Sequence, residues 1–373
     1  MTPFLALLLS LSTPPAATAR AGKPASATAL EQAATAAREA GKLAEATQLY
    51  RRLAQARPRH PDTWWFLGTL HYEQDQFAAA RDALRRFVAL APGSAPGFAI
   101  LGLSEFQTRE YASALVHLEK ALALGLPAGE PLTQAAQYHV MILQNRAGNF
   151  ERALQVVSLA ASAPQPASPE IVAAAGLAAL RRTDFPTEIA PEDRELVFKM
   201  GRAMLLAAER RAPEAGRLLE EVAAAYPRVP HVNYAHALLL LGSDPDRGIS
   251  KLREELALNP DHLPALVSLA AELLKRGETE AALEPARRAR NLAPQNFVAR
   301  AVLGQVLTAS GDIPAAIAEL EMSRQLAPDS PQVRFALGAA YAKAGRRQEA
   351  QREREEFVRL KKQMTPGAAA ETP

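Results

Sequence analysis

Three short segments, LNPDH at Leu258–His262, LAPQN at Leu292–Asn296 and LAPDS at Leu326–Ser330, begin 34 residues apart. A fourth of the same form, LAPGS at Leu90–Ser94, lies upstream. Self-similarity at a period of this length is the mark of stacked supersecondary units, each too small to bury its own apolar face. This periodicity limits the fold more than any single motif does. It also fixes a frame in which columns can be compared.

With the proline near the end of each unit, copies begin at Ala27, Pro61, Ala95, Gln134, Leu196, Val229, Leu263, Phe297 and Pro331. Position 20 holds Ala46, Ala80, Ala114, Ala153, Ala215, Gly248, Ala282, Ala316 and Ala350. A column restricted to alanine and glycine predicts two helices crossing closely there. Position 8 is also small in most copies, as Gly68, Gly102, Gly304 and Gly338, but is broken by Met141 and His236. Position 15 is glycine in five copies, from Gly41 to Gly345, which predicts a left-handed turn between two helices. Prolines near position 32 (Pro58, Pro92, Pro227, Pro260, Pro294, Pro328) stop the second helix. Each unit therefore reads as helix, tight turn, helix, stop. The composition agrees: alanine is abundant, only 6% of residues are aromatic, and the β-branched runs that mark strands are missing.

In these columns the chain resembles the tetratricopeptide repeat family. The resemblance is carried by Trp64, Leu67, Gly68, Ala80 and Pro92, by Leu303, Gly304, Ala316 and Pro328, and by Leu337, Gly338, Tyr341 and Ala350. It implies an all-α fold, a right-handed α-solenoid of about nine helix-turn-helix repeats. Some positions depart from the family pattern. Lys199 and Arg202 stand at usually apolar positions, Pro285 falls inside a second helix where it should kink it, and Arg354 replaces a large apolar residue in the last copy. A terminal repeat has a water-facing side, which relaxes the last of these.

The expected organisation has five parts. Residues 1–19 form a signal peptide, residues 27–167 a first stack of four repeats, and residues 168–195 an irregular helical insert or linker. Residues 196–362 form a second stack of five repeats, and residues 363–373 a disordered tail. The leader is read from an apolar stretch, Phe4–Leu11, followed by Ala17-Thr18-Ala19, although no Lys or Arg precedes Phe4. A stretch of about eight mostly apolar residues is too short to span a bilayer, so no integral membrane insertion is expected. In the insert, SPEIVAAAGLAALRR reads as a helix and TDFPTEIAPED as a loop, together the pattern of a broken repeat.

Charge and motifs narrow the function. Net charge is +3, from 43 basic and 40 acidic residues well interspersed, so no basic stripe tracks a nucleic-acid backbone. Without cysteine there is no disulfide, thiolate metal site or thiol nucleophile. Phosphate-binding glycine loops and nucleophile elbows are missing. His231 and His236 are five residues apart, not the four that would align two ligands on a helix, and the adjacent pairs Glu220-Glu221 and Glu254-Glu255 diverge by about 100°. No catalytic residue, metal ligand or cofactor is assigned.

The resemblance implies that first helices line a concave face, with positions 2, 5, 9, 12 and 13 toward a ligand. On this chain that face takes Trp65, Thr69, Tyr72, Phe106 and Tyr138, with Asn145, Arg146 and Asn233 as polar candidates. Exposed groove aromatics are plausible anchors for a peptide. The expectation is a non-enzymatic scaffold that binds an extended peptide or helix of another protein. The leader and the Ala/Arg/Pro-rich composition point to an exported, periplasmic or secreted assembly or adaptor factor of a bacterial envelope. Alternatives are a cytoplasmic co-chaperone-like or regulatory adaptor, and an accessory subunit of a polysaccharide or secretion enzyme. The sequence leaves the oligomeric state open.

Overall fold

The computed structural model describes residues 25–162 and 166–364; the expected signal peptide and residues 365–373 lie outside them. Among the described residues are nineteen α-helices, two short 3-10 turns and no strand. The chain divides into two compact units, one to Leu218 and one from Leu219.

The first unit carries α1 (Ala25–Glu39), α2 (Leu43–Ala56), α3 (Pro61–Glu73), α4 (Phe77–Leu90), α5 (Ala95–Gln107), α6 (Tyr111–Leu124), α7 (Pro131–Arg146), α8 (Phe150–Ala161), α9 (Pro169–Ala179) and α10 (Arg194–Ala208). The division falls inside α11 (Ala212–Ala225). The second unit carries α12 (Val232–Leu240), α13 (Pro245–Leu258), α14 (Leu263–Lys275), α15 (Thr279–Leu292), α16 (Phe297–Ser310), α17 (Ile313–Leu326), α18 (Pro331–Lys343) and α19 (Arg347–Met364). The last helix passes two residues beyond the expected end of the repeats, so Gln363 and Met364 are helical and not tail; Lys361 and Lys362 occupy its last turn, where the helix dipole favours cations.

Within each unit, odd and even helices pack as hairpins and each hairpin packs on the next, so the core is a chain of interlocking layers. The small column is the reason. Ala80, Ala114, Ala282 and Ala316 have no exposed surface. A Cβ on Gly68, Gly102 or Gly304 would meet the Leu84, Leu118 or Leu320 side chain, each at position 24 of its repeat. Position 15 takes positive φ both where it is glycine, as at Gly41 and Gly311, and where it is Asp75 or Arg109.

The recurring pentapeptide closes one hairpin and caps the next. Ser94, Asn296 and Ser330, its fifth residues, accept from the backbone N–H of Gly97, Ala299 and Val333. Pro285 lies buried within α15, which runs unbroken from Thr279 to Leu292. Arg354 is exposed on the last helix, on the water-facing side of a terminal repeat.

The insert has a definite place. Helix α9 packs on α7, α8 and α10, and the loop after it holds Arg181 at φ 52°, the same left-handed turn that ends other first helices. Helices α9 and α10 thus form a hairpin whose connection, residues 180–193, is lengthened. Their crossing is closer than any made by the repeat columns. A Cβ on Gly176 would lie 1.9 Å from the Val197 carbonyl oxygen, and one on Gly201 would lie 1.8 Å from that of Val172. All of residues 168–195 fall in the first unit.

The second unit adds a charged device that no column revealed. Arg290 and Arg300 close on Glu319 at 3.1 and 2.5 Å, and Arg324 and Arg334 close on Glu353 at 2.5 and 3.0 Å. Each clamp joins the end of one repeat to both helices of the next. Because Glu353 is nearly buried, removing its arginines would leave an uncompensated charge, a loss of about 3 kcal/mol.

Candidate functional site

Four first helices of the first unit converge on one hollow. Tyr72 comes from α3, Leu103 and Gln107 from α5, Leu132, Ala135, Tyr138 and His139 from α7, and Glu170 and Ala173 from α9. Phe198 of α10 and the turn residues Pro186 and Thr187 complete the wall. The cavity measures about 330 Å³. Its lining is mostly apolar with a few polar groups, the usual character of a recognition pocket.

The helices bring their small or aliphatic positions to the floor: Leu103, Leu132, Ala135 and Ala173 are all buried. The tyrosines stand half-buried at the edge. Burial pushes the phenols of Tyr72 and Tyr138 up to about 12, so both stay protonated. His139 donates from Nδ1 to the Ala135 carbonyl at 2.7 Å, and its ring meets Phe106 and Tyr138 edge-on. Burial lowers its pKa to about 4, the Ala135 hydrogen bond opposing only in part, so the ring is neutral near pH 7.

The long α9–α10 connection edges this hollow. Phe185 packs against Phe106 and Tyr111, and the Arg146 guanidinium lies 4.6 Å over its ring. Arg182 ties both ends of the loop, to Asp184 at 2.9 Å and to Asp193 at 2.6 Å. Pro186 and Thr187 are thereby held at the pocket.

Of the expected groove residues, Tyr72 and Tyr138 line the cavity, and Phe106 stands beside it in contact with His139. Trp65 does not face the groove. It is 1% exposed, its indole 5.1 Å from the Phe87 ring, because position 5 of α3 points between hairpins rather than outward. Thr69 is likewise buried and donates to the Phe66 carbonyl at 3.2 Å. Asn145 is a buried tie: its Nδ2 donates to the Ala174 carbonyl at 3.0 Å, joining α7 to α9. Arg146 is exposed and covers Phe185. Asn233 lies buried in the second unit and takes no part in this site. Pro186 and Thr187 belong to the insert, which carries no repeat column, and Phe198 stands at position 3 of the fifth copy, a column not assigned to the ligand face. In the second unit His231, Glu255 and His262, from successive repeats, converge although no sequence motif joins them.

Stacked helical hairpins whose first helices share an apolar pocket define an all-α repeat protein. Residues 37–101 and 273–333 match the family model described as Tetratricopeptide repeat, so each unit carries tetratricopeptide repeats. Similar solved structures include MamA from Desulfovibrio magneticus RS-1, 20% identical, covering 44% of this chain and 94% of that one with a TM-score of 0.41. Another is YrrB, described as a TPR protein with an unusual peptide-binding site, 16% identical, covering 43% and 84% with a TM-score of 0.39. The curated proteins give no match.

Proposed function

We propose that this chain is a protein-interaction scaffold whose first unit receives an apolar side chain, carried on a peptide or helix of a partner protein, in the cavity between α5, α7 and α9. The observation that carries this reading is the cavity itself: about 330 Å³, floored by Leu103, Leu132, Ala135 and Ala173 and edged by Tyr72 and Tyr138. Burial of one leucine- or phenylalanine-sized group there would contribute roughly 2–3 kcal/mol, with the tyrosine rings supplying directional contact. Among the described residues no helix is long and apolar enough to cross a membrane. Service as an exported adaptor or assembly factor belongs to the same proposal and rests on Phe4–Leu11 and Ala17-Thr18-Ala19; an intact mass for the mature chain starting at Arg20 is its test.

The binding test is to fill the pocket. Ala173→Phe places a ring in the hollow at a lining position, and selection from a displayed peptide library supplies ligands for the parent chain. Such ligands should share an apolar anchor, and their affinity for Ala173→Phe should fall at least tenfold while circular dichroism stays helical. Equal affinity for the folded variant would remove the cavity from the binding surface.

A further inference from the structure

The segment LNPDH differs from its three counterparts at one residue that matters. Ser94, Asn296 and Ser330 each use the side chain to cap the following helix, whereas His262 precedes α14 with no such bond. His231 holds the same place before α12, with φ 74° and again no side-chain cap. Both imidazoles turn to one carboxylate, that of Glu255 on the intervening helix α13. Nδ1 of His231 is 3.5 Å and Nδ1 of His262 is 3.3 Å from the same Oε1. The three ligand atoms lie within 4.8 Å of one another.

We propose that His231, Glu255 and His262 form a binding site for a divalent transition-metal ion of zinc type. Four observations support it. The two nitrogen–oxygen separations match the edge of a tetrahedron whose metal bonds are about 2.0–2.1 Å, which is about 3.3 Å. The donor set, two imidazoles and one carboxylate, suits zinc and its neighbours rather than magnesium or calcium. The carboxylate is already oriented, since both of its oxygens accept from the His231 backbone N–H, at 2.9 and 2.8 Å; metal-ligating carboxylates are commonly fixed by such hydrogen bonds. Finally, both ring nitrogens of His262 are buried without a directed hydrogen bond, although its side chain is only 3% exposed. Buried polar atoms are rarely left so, and an ion on Nδ1 would supply the partner.

Acceptance of the His231 N–H explains why a glutamate is buried here. It does not explain why two histidines from successive repeats bring Nδ1 to the same oxygen. The His231 side chain remains 16% exposed, which leaves an entry path. Three protein ligands leave the fourth position to water or to a donor from a bound protein. An ion here would bind residues before α12, on α13 and before α14, and so would cross-link two adjacent repeats.

The test uses the full chain without an affinity tag, stripped by chelator and titrated with zinc sulfate by calorimetry, with cobalt(II) absorption as an independent readout. One equivalent per chain is expected, with a tetrahedral cobalt spectrum, unaffected by excess magnesium. His231→Ala, His262→Ala and Glu255→Gln should each weaken uptake tenfold or more, and His60→Ala should not. Glu255→Gln keeps an acceptor for the His231 N–H, so a folded variant that has lost zinc separates ligation from structure. Failure of the parent chain to take up zinc would overturn the proposal, as would uptake at parental affinity by the two folded histidine variants.

Discussion

Gly201→Ala is expected to be the most destabilising single-methyl change in the first unit. Its Cβ would sit 1.8 Å from the Val172 carbonyl oxygen and 2.8 Å from the carbonyl carbon. The atoms in the way are backbone, so no rotamer change relieves the clash; the two helices must separate. Gly176→Ala makes the reciprocal clash, 1.9 Å from the Val197 carbonyl oxygen. Separation would also loosen Ile171, Ala174 and Leu205, which are fully or almost fully buried in the core cluster of this unit. Overpacking at such a contact costs about 3 kcal/mol or more, which for a unit of this size lowers the melting temperature by roughly 6–12 °C. Both tryptophans, Trp64 and Trp65, belong to the first unit, so indole fluorescence follows its unfolding separately from the second. Gly41→Ala, at φ +71° with nothing within 4 Å, should cost only about 1 kcal/mol, and Gly93→Ala, in open space, close to nothing. A Gly201→Ala protein that melts with the parent would mean that α9 and α10 do not cross this closely.

The same pair of helices marks the limit of what the sequence makes legible. The repeated hairpin is readable because its causes are local and periodic: a small residue where helices cross, a left-handed turn, a proline and a capping side chain. Gly102 against Ala114 and Ser94 before α5 follow directly from those columns. Gly176 and Gly201 obey the same close-packing physics, but Gly176 lies in the insert and Gly201 stands at position 6 of the fifth copy, two before the small-residue column held by Ala203. The connection between α9 and α10 is also too long to look like a repeat turn.

The binding face is legible to a lesser degree. Tyr72 and Tyr138 can be placed on the cavity from helical spacing alone, whereas Trp65 has equal claim by spacing and is core. Trp65 and Tyr72 lie seven residues, about two turns, apart on one side of α3, and the neighbouring hairpin decides which of them is covered. The Arg290–Glu319–Arg300 clamp and the His231–Glu255–His262 cluster escape motif reading for another reason. Their members are contributed by successive repeats and meet only once those repeats are stacked.

Acid should weaken the first unit through His139 well before general carboxylate protonation does. The imidazole has a pKa near 6.5 in the unfolded chain, whereas burial beside Phe106 and Tyr138 lowers it to about 4 in the folded unit. A group whose folded pKa is depressed contributes stability above its unfolded value and loses it as pH falls. Between pH 6.5 and pH 4 the unfolded chain binds a proton that the folded unit refuses, so stability drops across that window, by on the order of 3 kcal/mol in all. Most of that loss is complete at pH 4.5. Glu110 and Glu214, held below the ordinary carboxylate range by hydrogen bonds from Arg85 and Arg211, lose their contribution only at lower pH. His71, also lowered by burial with Gln76 opposing, adds a smaller loss of the same sign. His139→Leu removes the ionisation and keeps an apolar body on the pocket wall. The comparison is the urea midpoint of tryptophan fluorescence at pH 7.5 and pH 4.5, for parent and variant. The parent should lose roughly 2–3 kcal/mol more than His139→Leu over that interval. Equal losses would mean that His139 takes up its proton in the folded unit, and hence that water reaches the floor of the cavity between α5, α7 and α9.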